Sequence, residues 1–331
     1  MLKTRIEVIG WLDKYKGKID NYTINEDLSV DVVGNVLLSN VGLVGELPIR
    51  FGVVSRNFYC YNNKLSSLKG FPVEVGGDFN CYGNKLTSLE GCPEKVGGHF
   101  NCSNNKLTSL NGCPKFGGGG FYCYDNNLSN LEGCPEKVMG SFNCYDNSLT
   151  SLAGCPKKVL GDFHCYDNKL TSLEGCSESV GGNFNCYNNR LSSLDACPIK
   201  VGGNFDCQNN NLTSLDSCPV EVIGDFNCGY NKLSNLEGCP VSVGGGFYCY
   251  DNKLISLVGC PIDVKGFNCN SNSLVSLLGC QERNIGRFIC NGNKLTYLER
   301  SPKSVGGDFY CYDNNLVLLL GGPKSVGGWQ I

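Results

Sequence analysis

The sequence predicts a solenoid, a fold in which short repeats stack along one axis. Phenylalanine recurs thirteen times between Phe58 and Phe309 at a step of 21 residues, with one step of 20 between Phe247 and Phe267. An asparagine follows five residues after each phenylalanine, and two leucines follow each asparagine. A unit of this length cannot bury its own apolar face, so successive units must stack with like residues superposed.

Each repeat is predicted to begin with a strand. In the second repeat Phe79 and Cys81 alternate with polar residues, which is the period of a strand with one buried face. The strand is expected at about residues 78–82, paired in parallel with the strand of the next turn. The rest of the unit runs to Gly91 and Pro93 without helical or strand spacing, so we expect it to be extended or irregular.

The asparagine column is predicted to have a structural role. Asn84, for example, stands where the chain leaves the strand. An inward amide at that point can satisfy backbone N–H and C=O groups of its own turn and of adjacent turns that no strand partner reaches. We therefore expect the asparagines to point into the interior.

The frame Phe-x-Cys-x-x-Asn-x-Leu-x-x-Leu resembles the leucine-rich repeat, in the short form of about 21 residues known from secreted bacterial effectors and from arrays encoded by bacteriophages. The resemblance covers thirteen copies. Gly91-Cys92-Pro93 departs from the Leu-Pro of the effectors, and the Gly-Gly-Asp-Phe motif is closer to that of the bacteriophage arrays. The resemblance implies a right-handed coil with a parallel β-sheet on its concave face and few or no helices in the repeats.

Three parts are predicted along the chain. Residues 1–55 form a short α/β N-terminal cap, residues 56–322 form thirteen leucine-rich repeats, and residues 323–331 form an incomplete terminal repeat in which Trp329 takes the phenylalanine position. Within the array we note a glycine run at 117–120, a one-residue deletion at 265–266, and a shift of the valine column by one residue at Asn284-Ile285.

The cap is predicted to contain a helix, a hairpin and a degenerate repeat. The helix is expected from about Leu2 to Lys16. Alternating valines from Tyr22 to Leu38 predict two strands that turn at Gly34-Asn35. In residues 36–43 a valine replaces the ladder asparagine, as expected for a solenoid end that must cover the first apolar layer. The apolar stripe of the helix is predicted to consist of Ile6, Ile9, Trp11 and Leu12.

Charge and hydropathy argue against several partners and locations. The formal net charge is −3 and the pI is near 5.5, so no general attraction to nucleic acid or to an anionic membrane is expected. No run of 18 apolar residues exists, and the first fifteen residues are charged throughout. We expect a soluble protein without a secretion signal that works in the cytoplasm, which is the host cytoplasm if the source is viral.

The 23 cysteines fall into two columns. Thirteen stand in the strand column, from Cys60 to Cys311, and ten in the Gly-Cys-Pro column, from Cys92 to Cys280. Both columns are predicted to face the interior as reduced thiols that act as small apolar residues. The total is odd, and stacking of identical residues gives poor disulfide geometry, although disulfides stay an alternative. No Cys-x-x-Cys occurs, so no metal site is expected.

No catalytic centre and no cofactor are predicted. The two histidines, His99 and His164, lie three turns apart, about 14 Å along the axis, and cannot act as a pair. Each is interpreted as an outward strand residue of a binding surface. The recurring Gly-Gly pairs are bends and not a phosphate loop. We therefore predict that the chain is not an enzyme.

The outward positions beside the strand cysteines are the candidate binding site. Tyrosine occupies one column in four consecutive turns, and aspartate occupies the next column in three of them. One interpretation is that tyrosine simply suits strands and was copied by duplication. The other is a recognition surface of rigid amphipathic rings and adaptable hydrogen-bonding groups. The candidate residues are Tyr122, Tyr124, Asp125, Tyr145, Asp146, His164, Tyr166, Asp167 and Tyr187.

The function predicted from these patterns is that of a non-enzymatic protein-binding scaffold. Its concave face, rich in Tyr, Asn and Asp, would engage a protein partner with a basic patch. A first alternative is a structural component of a larger assembly such as a virus particle, joined end to end through the C-terminal edge at Trp329. A second alternative is a carbohydrate-binding module that uses the same tyrosines.

Overall fold

The computed structural model describes residues 1–280, 282–284 and 286–331, with the side chains of Phe116, Arg283 and Asn284 excepted. The predicted shift of the valine column depends on Ile285 and lies outside the described residues. The chain divides into two compact units, Met1–Asp162 and Phe163–Ile331. Each unit consists of short parallel strands stacked coil upon coil, which is the predicted solenoid architecture.

Helix α1, Arg5–Asp13, opens the chain and is the only helix among the described residues. It begins with a capping box, because the Thr4 hydroxyl accepts a hydrogen bond from the Glu7 N–H and the Glu7 carboxylate accepts one from the Thr4 N–H at 2.9 Å. The predicted helix is thus confirmed, and it is three residues shorter at each end than the expected span from Leu2 to Lys16.

The buried face of α1 differs from the predicted stripe. Val8, Trp11 and Leu12 are buried, whereas Ile6 is 83% exposed and Ile9 is also exposed. Positions 8, 11 and 12 share one face at the helical period, and Ile6 does not belong to that face. The prediction was right for Trp11 and Leu12 and wrong for the two isoleucines.

Strands β1, Ile19–Ile24, and β2, Ser29–Leu37, form an antiparallel hairpin. The predicted turn at Gly34-Asn35 is wrong, because β2 continues through these residues and the turn lies at 25–28. Gly34 has φ 133°, and a Cβ there would lie 2.2 Å from a carboxylate oxygen of Asp20. The glycine is needed for this close approach beside the register shift in β1, and not for a turn.

The cap leads directly into the repeats. Strand β3 is Val44–Gly45 and strand β4 is Arg50–Val54. β2 pairs in parallel with β4 and, through Val36 and Leu37, with the first repeat strand, Phe58–Tyr59. The hairpin strand therefore covers the first layer of the array, as the degenerate repeat predicts.

The phenylalanine strands, which begin at or next to each repeated phenylalanine, form one parallel ladder in each unit. They pair in register, for example Phe79 with Phe100 and Phe205 with Phe226. They are two or three residues long and thus shorter than the predicted span of 78–82. In the first unit they are Phe58–Tyr59, Phe79–Asn80, Phe100–Asn101, Phe121–Tyr122 and Phe142–Asn143. In the second they are Phe163–His164, Phe184–Asn185, Phe205–Asp206, Phe226–Asn227, Gly246–Tyr248, Gly266–Asn268, Phe288–Ile289, Asp308–Tyr310 and Gly328–Gln330.

A second set of short strands, here called the valine strands, lies just before the glycine bends. The sequence did not predict strands at these positions. They also pair in parallel, for example Val75 with Val96 and Val201 with Val222. In the first unit they are Glu74–Val75, Lys95–Val96, Phe116–Gly117, Lys137–Val138 and Lys158–Val159, and Lys64–Leu65 pairs with β3. In the second they are Ser179–Val180, Lys200–Val201, Glu221–Val222, Ser242–Val243, Arg283–Asn284 and Ser304–Val305.

The core of each unit is built from columns of identical residues. The rings of Phe79 and Phe100 stack with centroids 5.9 Å apart and an interplanar angle of 9°. Those of Phe205 and Phe226 stack at 5.3 Å and 7°. The repeated phenylalanines, strand cysteines and ladder leucines are almost entirely buried, except for Leu316 and Leu319 of the last repeat. Trp329 takes the phenylalanine position opposite Phe309, as predicted.

The asparagine ladder is confirmed within each unit. The Asn84 amide donates to the carbonyl oxygens of Cys81 in its own turn and Cys60 in the preceding turn, both at 3.0 Å. Its carbonyl oxygen accepts the Leu65 N–H at 3.0 Å. Asn231 makes the same set of bonds in the second unit. Each asparagine thus joins two turns through backbone groups that would otherwise be unpaired.

The cysteines divide into two environments. Every strand-column thiol is buried, as predicted. The Gly-Cys-Pro column is buried only at Cys113 and Cys155 and is otherwise partly exposed, so the prediction that it faces the interior was wrong for most of its members. Its thiols reach backbone carbonyls at the rim instead, as Cys239 Sγ does to Gly259 O at 2.7 Å. All 23 cysteines are free thiols in the structure.

Candidate functional site

The tyrosine face comprises the outward residues one and three positions after each repeated phenylalanine. In the first unit the rings of Tyr124 and Tyr145 stack with centroids 4.4 Å apart and 6° between their planes. In the second unit Tyr166 and Tyr187 stack at 4.4 Å and 8°. All four side chains are half-buried. The structure thus brings the predicted tyrosines together in pairs, and their role in binding stays a prediction.

Stacking decides which part of each ring a partner can reach. Tyr145 stacks against one face of the Tyr124 ring. Tyr82 is a second aromatic neighbour of Tyr124, with ring centroids 6.3 Å apart and an interplanar angle of 49°. Rings stacked along the array offer their edges and hydroxyl groups outward, while the partner ring covers one face of each. The face therefore presents hydrogen-bonding groups on rigid aromatic supports.

The aspartates beside the tyrosines have a backbone role that the sequence did not reveal. Asp125, Asp146 and Asp167 have φ of 53°, 52° and 50°. This left-handed conformation precedes every ladder asparagine, and Asn, Asp and Gly adopt it more readily than other residues. The Asp125 carboxylate also accepts a hydrogen bond of 2.7 Å from Asn104. The acidic column is thus partly a requirement of the chain path, although all three side chains are exposed.

His99 belongs to a second polar ladder that sequence reasoning missed. Its Nδ1 accepts the N–H of Gly120 at 2.8 Å, and the hydroxyl of Tyr122 lies 3.5 Å from the same nitrogen. One turn earlier Asp78 Oδ1 accepts the N–H of His99 at 2.7 Å. His99 is exposed, as an outward residue should be, and its ring nitrogen also joins two turns, whereas its role in binding stays a prediction.

The same ladder continues at other residues that immediately precede a repeated phenylalanine. Ser141 Oγ accepts the N–H of Asp162 at 3.1 Å in the first unit, and Asn204 Oδ1 accepts the N–H of Asp225 at 2.8 Å in the second. The signal in the sequence was a column of short polar acceptors before phenylalanine. The second predicted histidine, His164, is half-buried with its ring centroid 6.0 Å from that of Tyr166.

The second unit holds a polar constellation that the sequence analysis did not single out. The Tyr250 hydroxyl donates to Gln208 Oε1 at 2.7 Å and lies 3.4 Å from the amide of Asn227. Gln208 donates its own N–H and its side-chain amide to the two oxygens of Asp206, at 3.0 and 3.3 Å. We call Asp206, Gln208, Asn227, Tyr230 and Tyr250 the Tyr250 cluster.

A glycine and a second tyrosine shape this cluster. A Cβ on Gly229 would lie 2.6 Å from the ring of Tyr250, so the ring occupies the space that a side chain at 229 would fill. Tyr230 packs edge-on to Tyr250, with centroids 5.3 Å apart and an angle of 89°. Tyr230 is 54% exposed and has φ 50°, in the column otherwise held by Asn, Asp, Gly or Ser.

Two carboxylates flank the aromatic pair. Burial raises the pKa of Asp206 to about 6, against the lowering effect of the hydrogen bond from Gln208. Burial also raises the pKa of Asp251, which a hydrogen bond with Tyr230 opposes. Among the described residues neither carboxylate forms an ion pair with a lysine or arginine. The cluster is therefore a partly desolvated acidic spot without a counter-charge.

Metal and membrane features were also sought. Among the residues described, no group of three or more His, Cys, Asp or Glu side chains is placed to hold a metal ion. Within the same residues, no helix is long and apolar enough to cross a bilayer.

The fold matches solved structures over its whole length. It aligns with YopM from Yersinia pestis, described as a leucine-rich effector protein, at TM-score 0.60 and 19% identity, covering 99% of each chain. It aligns with YopM from Yersinia enterocolitica WA-314 at TM-score 0.55 and 17% identity, covering 99% of this chain and 86% of that one. The chain has a leucine-rich repeat fold. No protein-family model and no curated protein matches the sequence.

A third solved structure also aligns with this leucine-rich repeat array. The functional domain of InlJ from Listeria monocytogenes, described as including a cysteine ladder, aligns at TM-score 0.52 and 19% identity. The match covers 80% of this chain and 62% of that one. Identities this low relate the folds alone, so the function of the array has to be argued from its own surface.

Proposed function

We propose that the chain is a non-enzymatic protein-binding scaffold that engages its partner through its outward tyrosines, with Tyr124 and Tyr145 of the first unit as the anchors. The observation that carries the proposal is the stacking of Tyr124 on Tyr145 at 4.4 Å. A ring held between neighbouring turns loses little conformational entropy on binding, which favours its use as an anchor. The leucine-rich repeat fold, which commonly serves as a protein-interaction scaffold, is consistent with this role.

The chemistry of the face favours a protein partner with a basic patch. The rings present edges and hydroxyl groups, which suit the polar groups and cations of a protein surface. A sugar that stacks on an aromatic ring needs an exposed ring face, and in each stacked pair one face of every ring is covered by its partner. Exposed Asp125, Asp146 and Asp167 add negative charge along the same face. A bacteriophage origin and a cytoplasmic location stay predictions.

The test starts from ligands selected on the protein itself. Peptides are selected from a random display library on the immobilised full chain, and the affinity of each enriched peptide is measured for the double variant Tyr124→Ser/Tyr145→Ser. We expect enrichment of lysine and arginine in the selected peptides and a loss of affinity of about tenfold or more in the variant, because buried tyrosines are frequent hot spots.

The matched control changes two exposed residues on a different side of the same unit, Thr87→Ala/Thr108→Ala. It is expected to bind the selected peptides like the wild type. The proposal is wrong if the peptides bind the tyrosine variant with unchanged affinity, or if a glycan array yields specific ligands that depend on Tyr124 and Tyr145 while the peptide selection yields none.

A further inference from the structure

The Tyr250 cluster is assembled from positions at which single turns depart from the repeat. Asp206 stands in a column where asparagine is the commonest residue. Gln208 and Gly229 stand in a column where most turns have tyrosine. Tyr230 stands in the left-handed column of Asn, Asp and Gly. These departures fall in neighbouring turns, and their side chains meet in space.

The departures depend on one another geometrically. Because Gly229 has no side chain, the ring of Tyr250 lies over that turn and reaches Gln208, 42 residues earlier. Gln208 in turn holds Asp206 through two hydrogen bonds. Tyr230 then packs edge-on to Tyr250, so that two rings at 89° enclose a corner on the exposed surface.

The electrostatics of this corner favour a positive charge from outside. Tyr250 donates to the Gln208 side-chain oxygen, and Gln208 donates to the Asp206 carboxylate, so the chain of hydrogen bonds ends on a negative group. Asp206 and Asp251 are both partly desolvated, and neither has a cationic partner among the described residues. A desolvated carboxylate without a counter-charge is unfavourable, and a cation placed beside it relieves that cost.

We infer that the Tyr250 cluster is a binding site for an alkylammonium group, such as the side chain of a lysine on the partner. The ammonium would lie in the corner between the rings of Tyr230 and Tyr250, which attract a cation through their π-electrons. Asp206 and Asp251 would supply the opposite charge. That the cation comes from a lysine depends on the proposed protein partner, whereas the existence of the cation site does not.

The experiment uses small probes and the full chain, so that it needs no partner. Nα-acetyl-lysine methylamide and its Nε-trimethyl derivative are titrated into the protein, and the ring resonances of ¹³C-labelled tyrosines are followed by NMR. Nα-acetyl-norleucine methylamide, which has the alkyl chain without the charge, is the matched probe. We expect both cations to shift the signals of Tyr230 and Tyr250 and the neutral probe to leave them unchanged.

Two variants and one control assign the site. Asp206→Asn restores the residue common in its column, and Tyr230→Asn restores a residue common in the left-handed column, so both are compatible with the fold. Each is expected to weaken binding of the cationic probes at least fivefold. Asp313→Asn, an exposed member of the left-handed column in the same unit, is expected to leave it unchanged.

The inference is overturned if the norleucine probe shifts the same signals equally, if the cations shift only tyrosines outside the cluster, or if Asp206→Asn binds them like the wild type. Such a result leaves the proposed function untouched, because the peptide selection tests Tyr124 and Tyr145 in the other unit. Conversely, failure of the peptide selection with a positive probe titration removes the protein partner and keeps the cation site.

Discussion

The hydroxyl of Tyr250 donates a 2.7 Å hydrogen bond to Gln208, two turns earlier in the array. The bond passes over the intervening turn because Gly229 leaves that space empty. By contrast, the bonds of the asparagine ladder join adjacent turns, as those of Asn231 to Leu212 and Cys207 do. Tyr250 therefore ties together a longer stretch of chain than the regular columns do.

Adding a methyl group at Gly229 is predicted to break this relationship. In Gly229→Ala the new Cβ would lie 2.6 Å from the Tyr250 ring, so the ring must move and its bond to Gln208 is lost. We expect the free energy of unfolding to fall by about 1–2 kcal/mol, measured by urea denaturation. Gly117→Ala is the control, because a Cβ there would lie 3.9 Å from its nearest neighbour, the Gly98 carbonyl oxygen, and the φ of Gly117 is not left-handed.

A double-mutant cycle separates the bond from the steric clash. If Gly229→Ala acts mainly through the hydroxyl bond, its cost should shrink in a Tyr250→Phe background, because the bond is already absent there. Full additivity of the two changes would contradict this account.

The asparagine ladder is predicted to be a main source of stability in each turn. Asn231→Ala removes three donor contacts, to Cys207, Cys228 and Gly229, and the acceptor for a fourth backbone group. We expect a loss of about 1–3 kcal/mol in the free energy of unfolding, because buried backbone groups are left unpaired.

The matched control for the ladder is Asn211→Ala in the same unit. Asn211 is partly exposed, and its side chain makes none of the hydrogen bonds of the ladder residues. Its replacement should change stability by less than about 0.5 kcal/mol. Equal losses at positions 231 and 211 would show that the amide has no special role.

Asp206 is predicted to make stability depend on pH in an unusual direction. Its carboxyl has a pKa of about 6 when folded and an ordinary value of 3.8, so between these values the folded chain holds the proton more tightly. Stability from this group is therefore present at low pH and lost as the pH rises through 6. Asp206→Asn should be more stable than the wild type by on the order of 2 kcal/mol at pH 7, and nearly equal to it at pH 4.

Urea unfolding of the two proteins at pH 4, 5, 6 and 7 measures this difference. Comparing variant with wild type at each pH cancels the contributions of the other carboxyl groups. A difference that is the same at pH 4 and pH 7 would show that the Asp206 charge carries no cost in the fold.

The two cysteine columns are predicted to respond differently to serine. Cys239 Sγ donates to Gly259 O at 2.7 Å, and Ser301 already makes the equivalent bond to Gly321 at 2.9 Å. Cys239→Ser should therefore be nearly neutral. Cys228 is fully buried in the strand column, and Cys228→Ser places a hydroxyl among apolar side chains, with an expected loss of about 1–3 kcal/mol.

Thermal or urea unfolding of the two single variants tests this pair. Burial raises the pKa of Cys239 to about 12 and that of Cys228 further, so neither thiol is expected to react rapidly at neutral pH. Equal destabilisation by both serines would contradict the distinction between the columns.

Replacing Tyr230 by asparagine is predicted to stabilise the protein. Tyr230 holds φ 50°, a conformation that costs a tyrosine about 1 kcal/mol and an asparagine less. We expect Tyr230→Asn to raise the free energy of unfolding by about 0.5–1 kcal/mol. Asp313→Asn, an exposed exchange between two residue types that both suit this conformation, should not produce that gain. A loss of stability in Tyr230→Asn would mean that the ring contact with Tyr250 outweighs the backbone strain.

Most of the fold followed from repetition. The step between Phe79 and Phe100 fixes which residues are superposed, because a short unit can bury its apolar side chains only against copies of itself. The inward role of Asn84 followed from its place at the end of a strand. The turn at Gly34 was misread because a glycine signals a special backbone position without saying which one.

The candidate site was predictable only in part. Column membership placed Tyr124 beside Tyr145, but the use of His99 as a backbone acceptor depends on a contact with the following turn. Likewise, the positive φ of Asp125 is a second reason for an aspartate at this position, and composition does not reveal it.

The sequence by itself determined the columns, since a strict period leaves a stacked chain only one register. The tertiary structure alone decided what happens where a column is broken. Because Gly229 has no side chain, the ring of Tyr250 lies over that turn, and in this position it forms the corner with Tyr230. A repeat unit specifies contacts between like residues, whereas a contact between unlike residues two turns apart depends on the space that the turn between them leaves free.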